Sequence, residues 1–338
     1  MPRFIALPVG QGDAFYLNRR DWSALVDGGR AQVSFPGIFQ ATTGADSVDV
    51  LVCTHNDADH ANGVIGYLES GLGCGELRLP GRWLPALAGV LEPFANVFSS
   101  LADEMEREEM LKGFDHAQTL DTTPLEQFAE RAFDRQQHAE FGPEVPLTEG
   151  GWPENLREAL ERAMPWEPHA WPVSAELELW SQALHTRLLW SAINAARRIR
   201  AIALAAFHRG IPVVWFEYDT TRPSGKCGEL VPLNARAIAE FRPARGSLFV
   251  YLALTVTNRE SLVFWSPRAD DFPGVLFNAD SDLSGVKLPS DIDGAIATAP
   301  HHGSEANRNV YPVVAKSAAD ADSLIWVRSD GRFKSRPG

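Results

Sequence analysis

Cysteine is scarce in this chain: Cys53, Cys74 and Cys227 are the only three among 338 residues. They have neither the even count of a disulfide framework nor the paired spacing of a thiolate metal site, so a reduced, cytoplasmic setting is expected. No apolar run approaches the roughly 20 residues that a bilayer core requires. The first strand pattern begins by Phe4, which leaves no room for a signal peptide, so neither a membrane span nor a secretory leader is expected. Internal repeats and low-complexity tracts are also missing. Positive charge is in short supply: 31 Lys and Arg against 44 Asp and Glu give a net charge of −13. That balance opposes a broad nucleic-acid surface, because phosphate contacts depend on Lys and Arg. The charge is uneven, however. Residues 103–109 and much of the stretch to Glu161 are acidic, whereas Arg187, Arg197, Arg198, Arg200, His208 and Arg209 make a locally basic segment. The hydrophobic content of 45% is ample for one large domain, or for a domain with a sizeable insertion.

What the chain does have in unusual density is metal-binding side chains. Residues 54–60 read Thr-His-Asn-Asp-Ala-Asp-His directly after the apolar run Val48-Asp49-Val50-Leu51-Val52-Cys53. Such a run reads as a buried strand, and residues just past its C-terminal end lie on a loop that a rigid sheet holds in place. His55 and Asp57 are two apart and face the same way in an extended segment. Asp59 and His60 are adjacent and diverge, which suits two neighbouring ions. Residues 61–68 then read as a helix whose N-terminal dipole favours the anionic groups in front of it. The alternative is an ordinary polar turn with a capping Asp and two solvated histidines. Crowded carboxylates repel one another, and divalent cations remove that repulsion.

His55-Asn56-Asp57-Ala58-Asp59-His60 resembles the His-x-His-x-Asp-His signature of the metallo-β-lactamase superfamily, in the variant with Asp for the second His. With the trailing Ala61-Asn62-Gly63 it is similar to the hydrolase domain of ComEC-type competence proteins. Four further segments resemble that family in the same order. Residues 9–14, Val-Gly-Gln-Gly-Asp-Ala, are similar to its opening strand-turn, and residues 25–29, Leu-Val-Asp-Gly-Gly, to its second strand. Residues 258–263 with 276–280 resemble the strand pair ending in a metal-bridging Asp, and residues 299–304 match a late His-His-Gly-Ser loop. The resemblance covers roughly residues 1–80 and 245–330. It implies His55 and Asp57 on one metal and Asp59 and His60 on the other. Asp280 would bridge, His302 or His301 would complete the second site, and Asp27 and Asp13 would anchor the ligands from behind. The chain departs from the family in having Ala279 where Gly usually precedes the bridging Asp, and none of the histidines between the early motif and Asp280 can be placed as the further ligand that many members supply there.

This set of about three imidazoles and three carboxylates is harder than an all-His site, so zinc is the default ion and manganese a competitor. Two divalent ions about 3.5 to 4 Å apart clamp a phosphate oxygen and activate a bridging hydroxide as nucleophile. Asp59 would orient that hydroxide, and His301, if not a ligand, would donate to the leaving oxygen. Ser304, Arg197 and Arg198 are candidate substrate contacts. The expectation is a phosphodiesterase or nuclease acting on nucleic acid, with the substrate resting on analogy. The alternatives are a metallohydrolase of a small phosphodiester or acyl substrate, and a metal-depleted regulatory or interaction module.

The expected fold class is mixed α/β (α+β), an αββα sandwich with a large helical insertion. Residues 1–85 would form the first half of the core, 86–210 the helical insertion or cap, and 211–338 the second half. Leu125, Phe128, Ala132 and Phe133 recur at helical spacing, as do Leu156, Leu160 and Met164, and the apolar pattern continues from Trp180 to Leu204. The tryptophans at 152, 166, 171, 180 and 190 read mainly as packing anchors. Residues 211–218, 247–252 and 323–327 restore strand patterns. Residues 328–338 stop without a closing helix, as a truncated or frayed basic tail would. A nuclease needs restraint in a cell. A protein partner reached through the insertion or the tail, for example in a defence system, is therefore expected, and no membrane.

Overall fold

The computed structural model describes residues 2–93, 96, 142–163, 184–224, 228–243, 254, 260–269 and 271–329. The chain divides into two compact units, one of residues 1–81, 211–238 and 258–338, the other of 82–210 and 239–257. The division expected from sequence at 85 and 210 differs chiefly in that 239–257 belongs to the second unit.

In the first unit, alternating apolar residues write the strands. β1 (Arg3–Ala6), β2 (Phe15–Arg19) and β3 (Trp22–Val26) form an antiparallel meander, with Phe15 opposite both Ala6 and Val26. A helix follows, α1 (Phe35–Thr43), with Pro36 in its first turn and Gly44 closing it at φ 71°, the left-handed conformation that glycine adopts without steric cost. β4 (Ser47–Val52), α2 (Ala58–Glu69) and β5 (Gly73–Pro80) make a parallel crossover unit on β3. β7 (Val213–Tyr218) and β9 (Ala235–Ala237) complete a seven-stranded sheet in the order β1-β2-β3-β4-β5-β7-β9. The second sheet has five strands, with β14 (Ile325–Val327), β13 (Ile296–Thr298), β12 (Val275–Phe277), β11 (Phe264–Ser266) and β8 (Val231–Pro232) in that order.

The period of two decides the layers. Phe15, Leu17, Ala24, Val26, Val50 and Val52 turn inward and meet Phe264, Val275 and Phe277 of the second sheet in one buried cluster. Each of the Val, Leu and Phe side chains contributes about 1.5–3 kcal/mol by leaving water. On the outer side of the first sheet, Tyr16 stacks edge-on against Phe39 of α1, which meets Tyr67 of α2. Outside the second sheet, α6 (Val310–Ser317) buries Val310 and Val314 against Trp265, Leu276 and Ala297. The result is a mixed α/β unit of four layers: helices, sheet, sheet, helix.

One local expectation is corrected. The helix after the His/Asp loop begins at Ala58 rather than residue 61, because Asp57 holds an extended conformation (φ −72°, ψ 148°) and its carbonyl accepts both His60 N and Ala61 N. Asp59 and His60 therefore stand on the first helical turn. Residues 323–327 appear as β14, residues 211–218 as β7, and the expected strand at 247–252 lies outside the described residues.

Of the second unit the described residues include α3 (Leu84–Val90), β6 (Val145–Pro146), α4 (Arg157–Arg162), α5 (Leu184–His208) and β10 (Glu240–Phe241), which pairs with β6. Ile193, Ala196, Ile199 and Ala203 form the buried stripe of α5. Trp152 is buried edge-on against Phe207 at 5.5 Å, a packing role. The positions Leu125 to Phe133, Met164, Trp166, Trp171 and Trp180, the acidic run 103–109 and the tail 330–338 lie outside the described residues. Among those described, no helix is long and apolar enough to cross a membrane.

Candidate metal centre

Strand ends on both sheets deliver the chemistry. β3 runs into Asp27, β4 into Thr54–His60, β12 into Asn278–Asp280 and β13 into Ala299–Ser304. Leu262 N donates to Thr54 O at 3.0 Å and ties the second sheet to the His/Asp loop of the first. Glycine makes one of these approaches possible: a side chain on Gly12 would collide with the Asp59 carbonyl, and Asp13 N donates to that same carbonyl at 3.1 Å.

The hydrogen bonds behind the histidines fix which nitrogen each one offers. Asp27 is fully buried; Oδ1 accepts from Thr54 N (2.8 Å), and Oδ2 accepts from Thr54 Oγ1 (2.7 Å) and from His60 Nδ1 (2.8 Å). Because the Thr54 hydroxyl proton goes to Asp27, Thr54 Oγ1 accepts from His55 Nδ1 at 3.0 Å. His302 Nδ1 lies 3.0 Å from Asp13 Oδ1. His301 Nδ1 lies 3.2 Å from Asn307 Oδ1, whose Nδ2 donates to the Asp280 carbonyl. All four rings are thus held by Nδ1 and present Nε2, the arrangement by which outer partners orient metal-binding histidines.

These Nε2 atoms converge on Asp280. Oδ1 of Asp280 is 3.2 Å from His60 Nε2, and Oδ2 is 3.6 Å from His55 Nε2 and 3.5 Å from His301 Nε2. His302 Nε2 is 3.4 Å from Asp59 Oδ2, and His55 Nε2 is 3.8 Å from Asp57 Oδ2. Yet His55 Nε2, His60 Nε2, His302 Nε2, Asp280 Oδ1 and Asp13 Oδ2 are buried without a hydrogen-bond partner. Each buried polar atom left so costs about 1–3 kcal/mol, a penalty that coordination to a cation removes. The donors fall into two groups that can hold a metal ion, His55, Asp57 and Asp280, and Asp13, His60, Asp280 and His302.

The backbone is strained here as well. Asp27, Ala279, His301 and His302 have φ of 60°, 46°, 46° and 53°, a left-handed region that costs a non-glycine residue about 1–2 kcal/mol. At Ala279 a glycine would adopt this φ without the steric cost. Ala279→Gly should therefore raise the stability by about 0.5–1 kcal/mol in chemical denaturation, the steric relief outweighing the entropy of glycine; a loss of stability would show that the Ala279 methyl group is needed for packing.

Electrostatics binds the groups together. Burial pushes the Asp280 carboxyl up, but the charges of His60 and His55 overcome it and hold Asp280 far below the ordinary carboxylate range. Burial likewise opposes charge on His60, yet Asp280 and Asp27 raise it well above the ordinary histidine value. Against its own burial, the carboxylates of Asp13, which accepts from Nδ1, and of Asp59, 3.4 Å from Nε2, push His302 up to about 10. His55 is lowered by burial and by the His60 charge, and Asp57 is raised by burial. Burial opposes ionisation of Asp59, but His302 and His60 hold it low.

The raised values favour a proton on His60 and on His302 at neutral pH, and a metal ion binding there would displace both. Affinity should fall as pH drops, with release of about two protons per loaded centre. Calorimetry of zinc binding in buffers of different ionisation heat measures this number; a heat independent of buffer would contradict it.

The structure brings together His55, Asp57, His60, Asp280, His302 and, at the rim, His301. Asp13, expected to stand only behind the ligands, is part of a donor group as well as the partner of His302. Asp59, expected beside His60 on a metal, lies outside both groups and faces His302. Ser304 is half-buried and caps the turn Glu305–Asn307. Arg197 and Arg198 lie on α5 of the second unit, half-buried, and burial lowers the Arg197 pKa. Arg200 donates to Val90 O and His208 reaches Ala163 O, so part of the basic segment is engaged inside its own unit. Sequence reasoning missed the roles of Thr54, Asn307 and Ser261, whose Oγ accepts from Asp280 N at 3.1 Å. Only Thr54, wedged between the strand and His55, carried a local signal. No protein-family model and no curated protein matches the chain.

Proposed function

We propose that the chain is a hydrolase of the metallo-β-lactamase type that cleaves phosphodiesters, nucleic acid foremost, with two divalent ions. The observation that carries this reading is Asp280: its two oxygens face different histidines, His60 on one side and His55 on the other, so one carboxylate is shared by two donor groups. The resemblance of residues 54–60, 276–280 and 299–304 to that superfamily supports the same reading. His55 and Asp57 would hold one ion, and His60, His302 and Asp13 the other. The carboxylate-rich set favours zinc with manganese as competitor.

When bound, such a pair supplies Lewis acidity toward a phosphoryl oxygen and a water activated for attack. Asp59 Oδ2, held near His302 and partly exposed, is placed to accept and orient a proton of the attacking water. His301 is 32% exposed and is fixed through Nδ1 by Asn307, so in its imidazolium form it would have the Nε2 proton to give to the leaving oxygen. Asp27 and Thr54 keep the His55 and His60 rings from rotating, so the reacting groups meet in a preset geometry. A smaller phosphodiester is the second reading, favoured by the crowding of Asp13, Asp57, Asp59 and Asp280, which repels a polyanion.

Purified protein with zinc or manganese should cleave single-stranded DNA, double-stranded DNA or RNA, and His60→Ala should not. No cleavage beyond that of the variant would remove the nuclease reading; hydrolysis of bis(p-nitrophenyl) phosphate without cleavage of nucleic acid would favour the smaller substrate.

A further inference from the structure

Four carboxylates crowd one centre, and the end of β14 brings a fixed cation, Arg328, to the His-His-Gly loop beside it. β14 runs parallel to β13, and Ala299 N donates to Val327 O at 2.8 Å, so the next residue, Arg328, lies along the flank of the His-His-Gly loop. Gly303 in that loop has φ 79°. A carbon at its vacant Cβ position would lie 3.5 Å from Arg328 Nη1 and 3.7 Å from Tyr311 Oη. Two hydrogen-bond donors, Arg328 Nη1 and Tyr311 Oη, thus both approach Gly303, next to His302. Both are held in place from behind. The Tyr311 ring packs on Trp326 of β14 at 4.6 Å. Ser329 is buried, accepts from Ala14 N at 3.0 Å and donates to Gly12 O at 2.9 Å, which pins the strand end to the turn that carries Asp13. Burial raises the Tyr311 pKa and the Arg328 charge lowers it, so the two groups sense each other and the phenol remains a donor at neutral pH. A guanidinium has five N–H donors in a planar fork matched to phosphate, so a bond elsewhere leaves others for a ligand.

We propose that Arg328 and Tyr311 form an oxyanion subsite that takes a non-bridging phosphoryl oxygen of the substrate. The substrate is then an anionic phosphoester rather than a neutral acyl ester. This deepens the hydrolase reading and rests on it for the reaction, whereas the subsite is a property of the protein itself.

The test is a titration with inorganic phosphate, followed by calorimetry on metal-loaded and metal-free protein, for the wild type, Arg328→Gln, Arg328→Lys and Tyr311→Phe. Arg328→Gln should weaken phosphate about ten-fold, and Arg328→Lys and Tyr311→Phe about three-fold each, with metal content unchanged. In hydrolysis of bis(p-nitrophenyl) phosphate, Arg328→Gln should raise KM about ten-fold with kcat nearly unchanged, because a fixed cation holds ground state and transition state alike. The KM for p-nitrophenyl acetate should not move. Wild-type phosphate affinity in folded Arg328→Gln would overturn the proposal. Should circular dichroism show that variant unfolded, Arg328→Lys and Tyr311→Phe decide, and wild-type affinity in both would overturn it equally. A chain that binds no metal and hydrolyses nothing refutes the hydrolase reading, while the metal-free titration still decides the subsite.

Discussion

Asp280→Asn is expected to cut the metal content from about two ions per chain to less than one and to bring hydrolysis down to background. The side chain keeps its shape but loses the charge and one of two oxygens, so it cannot serve His60 and His55 at once. The backbone bond from residue 280 N to Ser261 Oγ is untouched, so the fold should persist. The sign in chelated protein is also set. Because the neighbouring imidazolium charge holds the Asp280 carboxyl far below its ordinary range, that carboxylate contributes stability above the ordinary carboxylate pKa and loses it only in strong acid. Removing it should therefore destabilise metal-free protein at pH 7, by about 1–3 kcal/mol, and not relieve it. Elemental analysis and urea denaturation of the two proteins check both halves; a variant that still binds two ions would show that the carboxylate is not shared.

The second large effect is expected at Asp27, which touches no candidate ion. Three donors converge on its two oxygens, Thr54 N, Thr54 Oγ1 and His60 Nδ1. Asparagine tolerates the left-handed φ of 60° but offers one acceptor oxygen, and its NH2 would face a donor. Asp27→Asn should cost about 3–5 kcal/mol in chelated protein, as for other buried groups stripped of a charged partner. Zinc affinity in a competition titration should fall 10- to 100-fold, roughly the effect of losing an outer-shell partner. Here the damage passes through two rings, His60 directly and His55 by way of Thr54. Unchanged zinc affinity would mean that the rings are oriented by packing alone.

Much of the centre could be read locally. Thr54–His60 lies in one loop after one strand, and a density of imidazoles and carboxylates that solubility does not require is visible without any fold. Asp280 and the His301-His302 pair were also legible, each just past a short apolar run. What could not be read depends on partners far apart in the chain. Asp13 joins a donor group because His302 reaches it from 289 residues away. Ser329 closes onto Gly12 across 317 residues, which takes the end of β14 out of the frayed tail that the basic C-terminus suggested. The early start of α2 was hidden for another reason: Asp59 and His60 look like loop residues by propensity, and only the two amides converging on the Asp57 carbonyl place them on a helical turn. The second unit was legible as an interruption of the core. Its recruitment of residues 239–257 was not, since the pairing of Glu240 with Pro146 follows no local periodicity.

The most direct measurement is the metal content of protein purified with zinc or manganese present and then freed of unbound ions. Two buried donor groups sharing one carboxylate predict about two ions per chain. A chain that retains none under those conditions would contradict the binuclear centre, and with it the hydrolase.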